Sequence, residues 1–259
     1  MRVGAISIAG LALFLWPFVG ADTPPVATSL ALSLGIVAVL LFVEASTRRL
    51  DARRFALLAA IAAIDAGLRL VLVTGLGGFS PMFFLILAAG YVYGPSYGFL
   101  AGSVALLASS VATGGIGPWL PYEMMGCGFV GLVAGLAGMR RSGPVTWRDI
   151  VVLAAVGAVT GFAYGALLDV WDWTTFYRGA PGFGWQPGLS LTAALARFGR
   201  FYVATSLVYD GFRAVGNVLA VTLLGAPVLA GLIRVRARFN VIVLEPSPQL
   251  APAPAGPPQ

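Results

Sequence analysis

Two groups of polar residues lie inside apolar stretches of the sequence, where ionisable side chains are costly and are usually paired or functional. Asp65 and Arg69 are four residues apart, which places them on one face of a helix. They predict either a local ion pair that holds a bundle together or a polar lining near a binding site. Asp210, Arg213 and Asn217, spaced three and four apart, form a second stripe. Ligand contact is the favoured interpretation of this stripe, and a buried polar network is the alternative.

A third group combines carboxylates with tryptophans. Asp169 and Asp172 are interleaved with Trp171 and Trp173, a pattern typical of helix anchoring at a membrane interface or of stacking against a ligand. Paired carboxylates could also act as acid and base or hold Mg²⁺ in an integral-membrane enzyme. The acidic residues are scattered along the chain without a dense cluster, which disfavours that reading.

The segment "GGIGPWLPYEMMGCGFVGLVAG", residues 114–135, begins with glycines and prolines and continues as an apolar helix. Its Gly/Pro half predicts a constrained loop. Trp119, Tyr122 and Glu123 then fall at the first helical turn, where the helix dipole favours a carboxylate. They predict either a capped and anchored helix start or contacts at the mouth of a binding cavity.

Small residues recur at spacings that allow close helix packing. Cys127, Gly131 and Gly135 follow one another every four residues and predict a groove for a neighbouring helix. The segment "FALLAAIAAIDA", residues 55–66, has the same small-xxx-small spacing, in the pairs Ala56/Ala60, Ala59/Ala63 and Ala62/Ala66.

The elements that must position these residues are set by composition. Of 259 residues, 59% are hydrophobic and 10% are charged, and the mean hydropathy is +0.90, which together indicate an all-α integral membrane protein. The net charge of +6 therefore bears on topology and not on nucleic-acid binding. All 16 basic residues are arginine, which excludes Schiff-base lysines and histidine-based catalysis or metal sites. The one cysteine excludes an internal disulfide.

Apolar runs predict about eight transmembrane helices, at residues 3–19, 26–43, 55–74, 81–93, 97–113, 121–139, 150–170 and 206–233. The first run could instead be a signal peptide cleaved near Val19-Gly20-Ala21. The fourth is short and should form a hairpin with the fifth at Gly94-Pro95. Residues 189–204 predict an amphipathic interfacial helix, and residues 240–259 predict a disordered Pro/Ala-rich tail.

The arginine clusters fall in connections that lie on the same side of the membrane when the predicted crossings are counted. With eight crossings, three clusters fall on one side, which the positive-inside rule makes cytoplasmic together with both termini. The connections at 20–25, 75–80 and 114–119 carry no arginine and are predicted to lie outside. The clusters are Arg48, Arg49, Arg53 and Arg54; Arg140, Arg141 and Arg148; and Arg234, Arg236 and Arg238.

Residues 79–138, beginning "FSPMFFLILAAGYVYGPSYGFLAG", resemble the substrate-binding S component of an energy-coupling-factor (ECF) vitamin transporter. The family element Gly-Pro-Trp-Thr-Pro-aromatic-Gln-Met corresponds here to "GPWLPYEM", residues 117–124, with Leu120 and Glu123 departing from the commoner Thr and Gln. Residues 209–239, with "AVGN" at 214–217, resemble the family's last helix. The likeness covers residues 55–239.

The resemblance implies a six-helix core, residues 55–239, preceded by a two-helix extension, residues 1–54. It implies a subunit of the bacterial cytoplasmic membrane that binds a vitamin from outside, best guessed as cobalamin or a related corrinoid. A membrane T component and two ATPase subunits would supply the energy, without a cofactor or metal in this chain and without nucleic acid. It implies T-component docking through Ala56, Ala59, Ala60 and Ala63. The expected ligand contacts are Phe79, Trp119, Tyr122, Glu123, Trp173, Trp185, Asp210, Arg213 and Asn217. An integral-membrane enzyme and a non-transporting membrane scaffold are the alternatives.

Overall fold

A computed structural model of the chain describes residues 2–19, 23–47, 50–71 and 81–239, and the secondary structure within these ranges is helical. Phe79, the loop at 75–80 and the tail at 240–259 lie outside the described residues. A 3-10 helix, Trp16–Phe18, follows α1. The α-helices are α1 Arg2–Leu15, α2 Val26–Ser46, α3 Ala52–Val71, α4 Met82–Tyr93, α5 Pro95–Thr113, α6 Leu120–Gly138, α7 Trp147–Thr175, α8 Leu191–Thr205 and α9 Leu207–Phe239.

Five helices are long and apolar enough to cross a membrane: α2, α5, α6, α7 and residues Leu207–Arg238 of α9. Two shorter apolar segments, Ala9–Phe18 and Met82–Tyr93, accompany them. The 20-residue α3 has sufficient length but contains Arg53, Arg54, Asp65 and Arg69. The chain is therefore a helical membrane protein, with five candidate spans among the residues that the structure describes, and a count of eight crossings needs α1, α3 and α4 as well.

The short α4 lies at the centre of the bundle. Its 12 residues extend only about 18 Å at 1.5 Å per residue, well short of the ~30 Å hydrocarbon core. Ten of them are buried, because α3, α5, α6, α7 and α9 surround the helix. A single residue, Gly94 with φ of 95°, separates α4 from α5, and Pro95 begins α5. The predicted hairpin is confirmed, since glycine takes this φ freely and proline suits a first helical turn.

Glycines bring α5 and α6 into backbone contact. A Cβ on Gly98 would lie 2.6 Å from the Gly131 carbonyl carbon, and a Cβ on Gly102 would lie 2.9 Å from the Gly128 nitrogen. Gly135 similarly faces Pro95, which leaves no room for a side chain. The groove predicted from Cys127, Gly131 and Gly135 is confirmed, and it fixes α6 between α4 and α5.

The arginine clusters of the described residues meet at one end of the bundle, which we call the arginine-rich end. Arg53 donates to the Arg238 carbonyl (3.5 Å) and Arg236 to the Val92 carbonyl (2.6 Å). Arg141 lies 3.6 Å from Asp149. The described arginines of the three clusters therefore lie at the same end of the bundle.

The opposite end, which we call the aromatic end, carries the 3-10 helix, α8 and the segment between α7 and α8. Helix α8 confirms the amphipathic helix predicted at 189–204. Helices α1 and α2 pack against α6, with Phe14 edge-on to Tyr122 at 5.6 Å between centroids. The two-helix extension therefore packs directly against the core, through α6.

Candidate functional site

An ion pair between α3 and α6 lies at the aromatic end. Arg69 Nη2 is 3.7 Å from Glu123 Oε2, and Arg69 Nη1 donates to the hydroxyls of Ser109 (3.0 Å) and Ser110 (3.3 Å) on α5. The side chains of Arg69 and Glu123 are 24% and 19% exposed. Three helices therefore converge on a polar group whose side chains are partly exposed.

Trp119 lies one helical turn before Glu123, at the start of α6. It is the residue before α6, and a Cβ on Gly117 would clash with several atoms of its indole, so glycine at 117 lets the ring fold back over the loop. The Trp119 ring is edge-on to Trp171 of α7 at 5.8 Å. We call Arg69, Glu123, Trp119 and Trp171 the mouth; it combines one charge of each sign with two indoles.

Asp65 lies one turn below Arg69 and is fully buried. Neither of its carboxylate oxygens has a hydrogen-bond partner among the described residues. The four-residue spacing predicted an Asp65–Arg69 pair, whereas Arg69 turns towards Glu123 and the two serines instead. An unpaired buried carboxylate is costly, and among the described residues Asp65 is the one with two buried side-chain oxygens that both lack a partner.

The polar stripe of α9 faces α7. Asp210 and Arg213 form a buried ion pair, and Arg213 Nη1 also donates to the Gly161 carbonyl (3.3 Å). Asn217 Nδ2 donates to the Gly157 carbonyl (2.9 Å). We call Asp210, Arg213 and Asn217, with their bonds to α7, the seam. The seam matches the buried polar network that the sequence offered as the alternative. A role of these residues in ligand binding stays a prediction.

Two further contacts tie the seam to its surroundings. The Tyr202 hydroxyl donates to Asp210 Oδ2 (3.0 Å). Burial, followed by the charge of Asp210, raises the pKa of Tyr202, so the phenol remains a donor at neutral pH. The Arg213 guanidinium also lies over the rings of Tyr164 (5.2 Å) and Tyr209 (5.1 Å).

The segment between α7 and α8 folds over an aromatic core of its own. Trp173 and Trp185 are fully buried, and Trp173 Nε1 donates to the Phe183 carbonyl (2.6 Å). The 3-10 helix completes this core, because Trp16 is edge-on to Trp185 at 5.4 Å and Phe18 stacks on Trp173 at 5.9 Å. We call this unit, residues 16–18 and 171–205, the cap.

The four alanines assigned to docking share one exposed face of α3. Ala56, Ala59, Ala60 and Ala63 are all exposed, whereas the residues on the opposite face of the helix pack against the bundle. The buried residues of the same helix are Leu58, Ile61, Ala62, Asp65 and Ala66.

The predicted site residues that the structure describes lie in four places. Trp119 and Glu123 are at the mouth. Tyr122 packs under α1, and Trp173 and Trp185 are in the cap. Asp210, Arg213 and Asn217 are in the seam.

Sequence reasoning considered Arg69 and Trp171 as binding alternatives without placing them among the expected ligand contacts, and it did not consider Ser109 and Ser110. The adjacent serines were a signal, since two hydroxyls inside an apolar helix need acceptors or donors from neighbouring helices. What the sequence lacked was the crossing that brings α3, α5 and α6 together.

No protein-family model matches the chain, and neither a curated protein nor a solved structure matches it significantly. A function for this chain is therefore inferred from its own residues and contacts.

Proposed function

We propose that the chain is the substrate-binding S component of an ECF vitamin transporter, and that it works with a T component and two ATPase subunits. The observation that carries this proposal is the alanine face of α3. All four alanines that the resemblance assigns to docking are exposed. Small side chains let another helix approach closely, so an exposed row of them suits a membrane partner better than lipid alone.

The topology fits this role. We assign the arginine-rich end to the cytoplasm and the aromatic end to the outside of the bacterial cell membrane, by the positive-inside rule. Counting α1, α3 and α4 as spans gives eight crossings and puts both termini inside. The alanine face then lies in the cytoplasmic half of α3, where it can reach a partner that is coupled to ATPases.

The mouth and the cap supply the ligand site. Trp119 and Trp171 offer rings for stacking, and Arg69, Ser109 and Glu123 offer donors and an acceptor. The longer segment of the cap runs for 35 residues, from 171 to 205, which is long enough to cover a large ligand. Cobalamin or a related corrinoid is the best candidate, with apolar contact from the indoles and hydrogen bonds from the polar pair.

The first test is binding by the chain alone. The protein is purified without partners, and co-purifying small molecules are identified by mass spectrometry, followed by titration with cobalamin. Tight capture without added metal is expected, and Trp119→Ala should weaken it by about 1–3 kcal/mol, the scale of a buried aromatic or charged contact. Turnover of a lipid or nucleotide by the isolated chain would contradict the proposal.

The second test separates docking from binding. Ala59→Trp with Ala63→Trp should abolish vitamin uptake in cells while leaving binding intact, because two indoles would hold the partner helix away. Ala163→Trp is the matched control, since Ala163 is an exposed alanine on α7. Uptake by the double variant at the level of the control would remove α3 as the docking face.

A further inference from the structure

Negative charge outweighs positive charge at the mouth. Arg69 faces Glu123 across 3.7 Å, so these two opposite charges offset each other. Asp172 follows Trp171 in α7, and it is close enough to Glu123 for the two carboxylates to repel each other. Asp65 lies one helical turn below Arg69 and is fully buried. Three carboxylates and one guanidinium therefore lie in the mouth or just beneath it.

The buried carboxylate of Asp65 is the sign that this imbalance serves a ligand. Neither of its oxygens accepts a hydrogen bond within the described part of the chain. Asp65 lies close to Cys127 of α6, which is one helical turn below Glu123 and is close to that residue as well. The charge of Asp65 is therefore added directly beneath the mouth. An unpaired carboxylate inside a membrane bundle is costly, and such residues commonly mark the path of a charged substrate.

The other described arginines of the aromatic end are engaged elsewhere. The sequence has no lysine and no histidine, and residues 72–80 contain no ionisable side chain, so arginine is the basic residue to account for. Within the described ranges, Arg69 is the arginine that interacts with the acids of the mouth. The engaged arginines are Arg213, paired with Asp210 in the seam; Arg197 and Arg200, which donate to the carbonyls of Gly184 (3.0 Å) and Gly182 (2.9 Å); and Arg178, which lies 4.9 Å over the Trp185 ring.

Two indoles give the mouth a surface for a flat cation. Trp119 and Trp171 are both partly exposed, and their ring centroids are 5.8 Å apart. The face of an indole attracts a cation through the quadrupole of the ring. A metal ion needs several ligand atoms around one point, and the described residues contain no group of three acidic, cysteine or histidine side chains that could hold one. An organic cation, whose charge is spread over a ring, is better matched to carboxylates that are distributed around indoles.

We propose that the mouth selects organic ligands that carry a positive charge on a ring system. The ring lies against the indoles of Trp119 and Trp171, and the carboxylate of Glu123 faces the positive charge. Asp65 and Asp172 strengthen the negative potential, which attracts cations and repels anions. This inference rests on the proposed ligand site, to which it adds the charge of the ligand.

The test uses three compounds that share one ring and differ in charge. The ring N-methyl derivative of nicotinamide is a cation, nicotinamide is neutral, and nicotinate is an anion. Each is titrated into the purified full-length chain in detergent, and the heat of binding is measured by calorimetry. The cation should bind about tenfold more tightly than nicotinamide, which is the size of one cation–π contact, and nicotinate should bind most weakly.

Two carboxylate variants separate charge from contact. Asp65→Asn removes a charge that is fully buried beneath the mouth, so it should reduce the preference for the cation by about threefold without removing a ligand contact. Glu123→Gln keeps an oxygen that accepts hydrogen bonds, and it should abolish the preference. Asp51→Asn is the matched control. Asp51 is exposed at the arginine-rich end, where it accepts from the Arg54 backbone N–H, and Asn caps a helix as well as Asp does.

Four results would overturn the proposal. They are equal affinities for the three compounds, tighter binding of nicotinate than of the cation, no measurable binding of the cation at millimolar concentration, and an unchanged preference in either carboxylate variant that unfolds at or above the wild-type temperature. The outcome is separable from that of the proposed function. A chain that captures cobalamin but treats the three compounds alike keeps the transport role and loses the charge preference. A chain that prefers the cation but retains no vitamin does the reverse.

Discussion

The crossing of α5 and α6 should be intolerant of a single added methyl group at Gly98. A Cβ there would lie 2.6 Å from the Gly131 carbonyl carbon and 2.7 Å from the Gly90 Cα, whereas ordinary carbon–carbon contacts are about 3.5–4.0 Å. Every one of these neighbours is backbone, so no side chain can rotate away. The helices must separate by about 1 Å, which also loosens the neighbouring Gly102–Cys127 contact.

Two terms set the size of the effect. Alanine gains up to about 1 kcal/mol over glycine in helix propensity, whereas forced overpacking typically costs about 1–3 kcal/mol. Because the clash involves three helices and only backbone atoms, we expect an overpacking cost in the upper part of its range. This cost should exceed the gain in helix propensity. For a chain of this size the unfolding midpoint should fall by roughly 2–12 °C.

Cys127 provides the assay. It is the only cysteine in the sequence and is fully buried at the same crossing, so a thiol-reactive fluorophore reports when this interface opens on heating. Gly35→Ala in α2 is the matched control, because a Cβ there meets nothing within 4 Å. Gly98→Ala should label at lower temperature than the wild type, and Gly35→Ala should label at the same temperature or higher. Identical midpoints for the two variants would refute the packing argument.

Three other substitutions probe separate parts of the structure. Asp65→Asn should leave the unfolding midpoint unchanged or raise it, because it removes an unpaired buried charge; a fall of several degrees would reveal a partner for Asp65. Asn217→Ala should lower the free energy of unfolding by about 1 kcal/mol, because the hydrogen bond to the Gly157 carbonyl is lost. An unaltered unfolding midpoint would show that this hydrogen bond does not contribute to stability. Trp173→Ala should loosen the cap by about 3–5 kcal/mol and speed tryptic cleavage after Arg178, whereas wild-type cleavage rates would place the stability of the cap elsewhere.

The parts of the fold that could be predicted from the sequence depend on local rules. A glycine or cysteine every fourth residue fixes the face of α6 that packs closely, whichever helix meets it. Arginine alternation fixes which helix ends lie together, because each crossing reverses the side. The ranges 121–139 and 97–113 accordingly agree with α6 and α5 to within a few residues.

The candidate site could be predicted only in part, because its partners come from different helices. Spacing along α3 places Asp65 and Arg69 on one face, but it cannot say that Glu123 and Ser109 offer Arg69 better contacts across the bundle. The same limit applies to the 3-10 helix. Nothing in the sequence around Trp16 indicates that it will pack on Trp185, almost 170 positions later in the chain.

Glu123 is best understood through Arg69. An amide at position 123 could still accept from the arginine through its oxygen, but only a carboxylate supplies the opposite charge that a guanidinium within a membrane bundle needs. Their separation of 3.7 Å is too long for a direct hydrogen bond, and Glu123 Oε2 has no other partner among the described residues. The pair is therefore held by electrostatic attraction rather than by a hydrogen bond of fixed geometry. Both groups keep hydrogen-bonding atoms that they do not use on each other. A ligand that donates to Glu123 and accepts from Arg69 would not have to break a hydrogen bond between them, which is the property that the proposed binding site at the mouth requires.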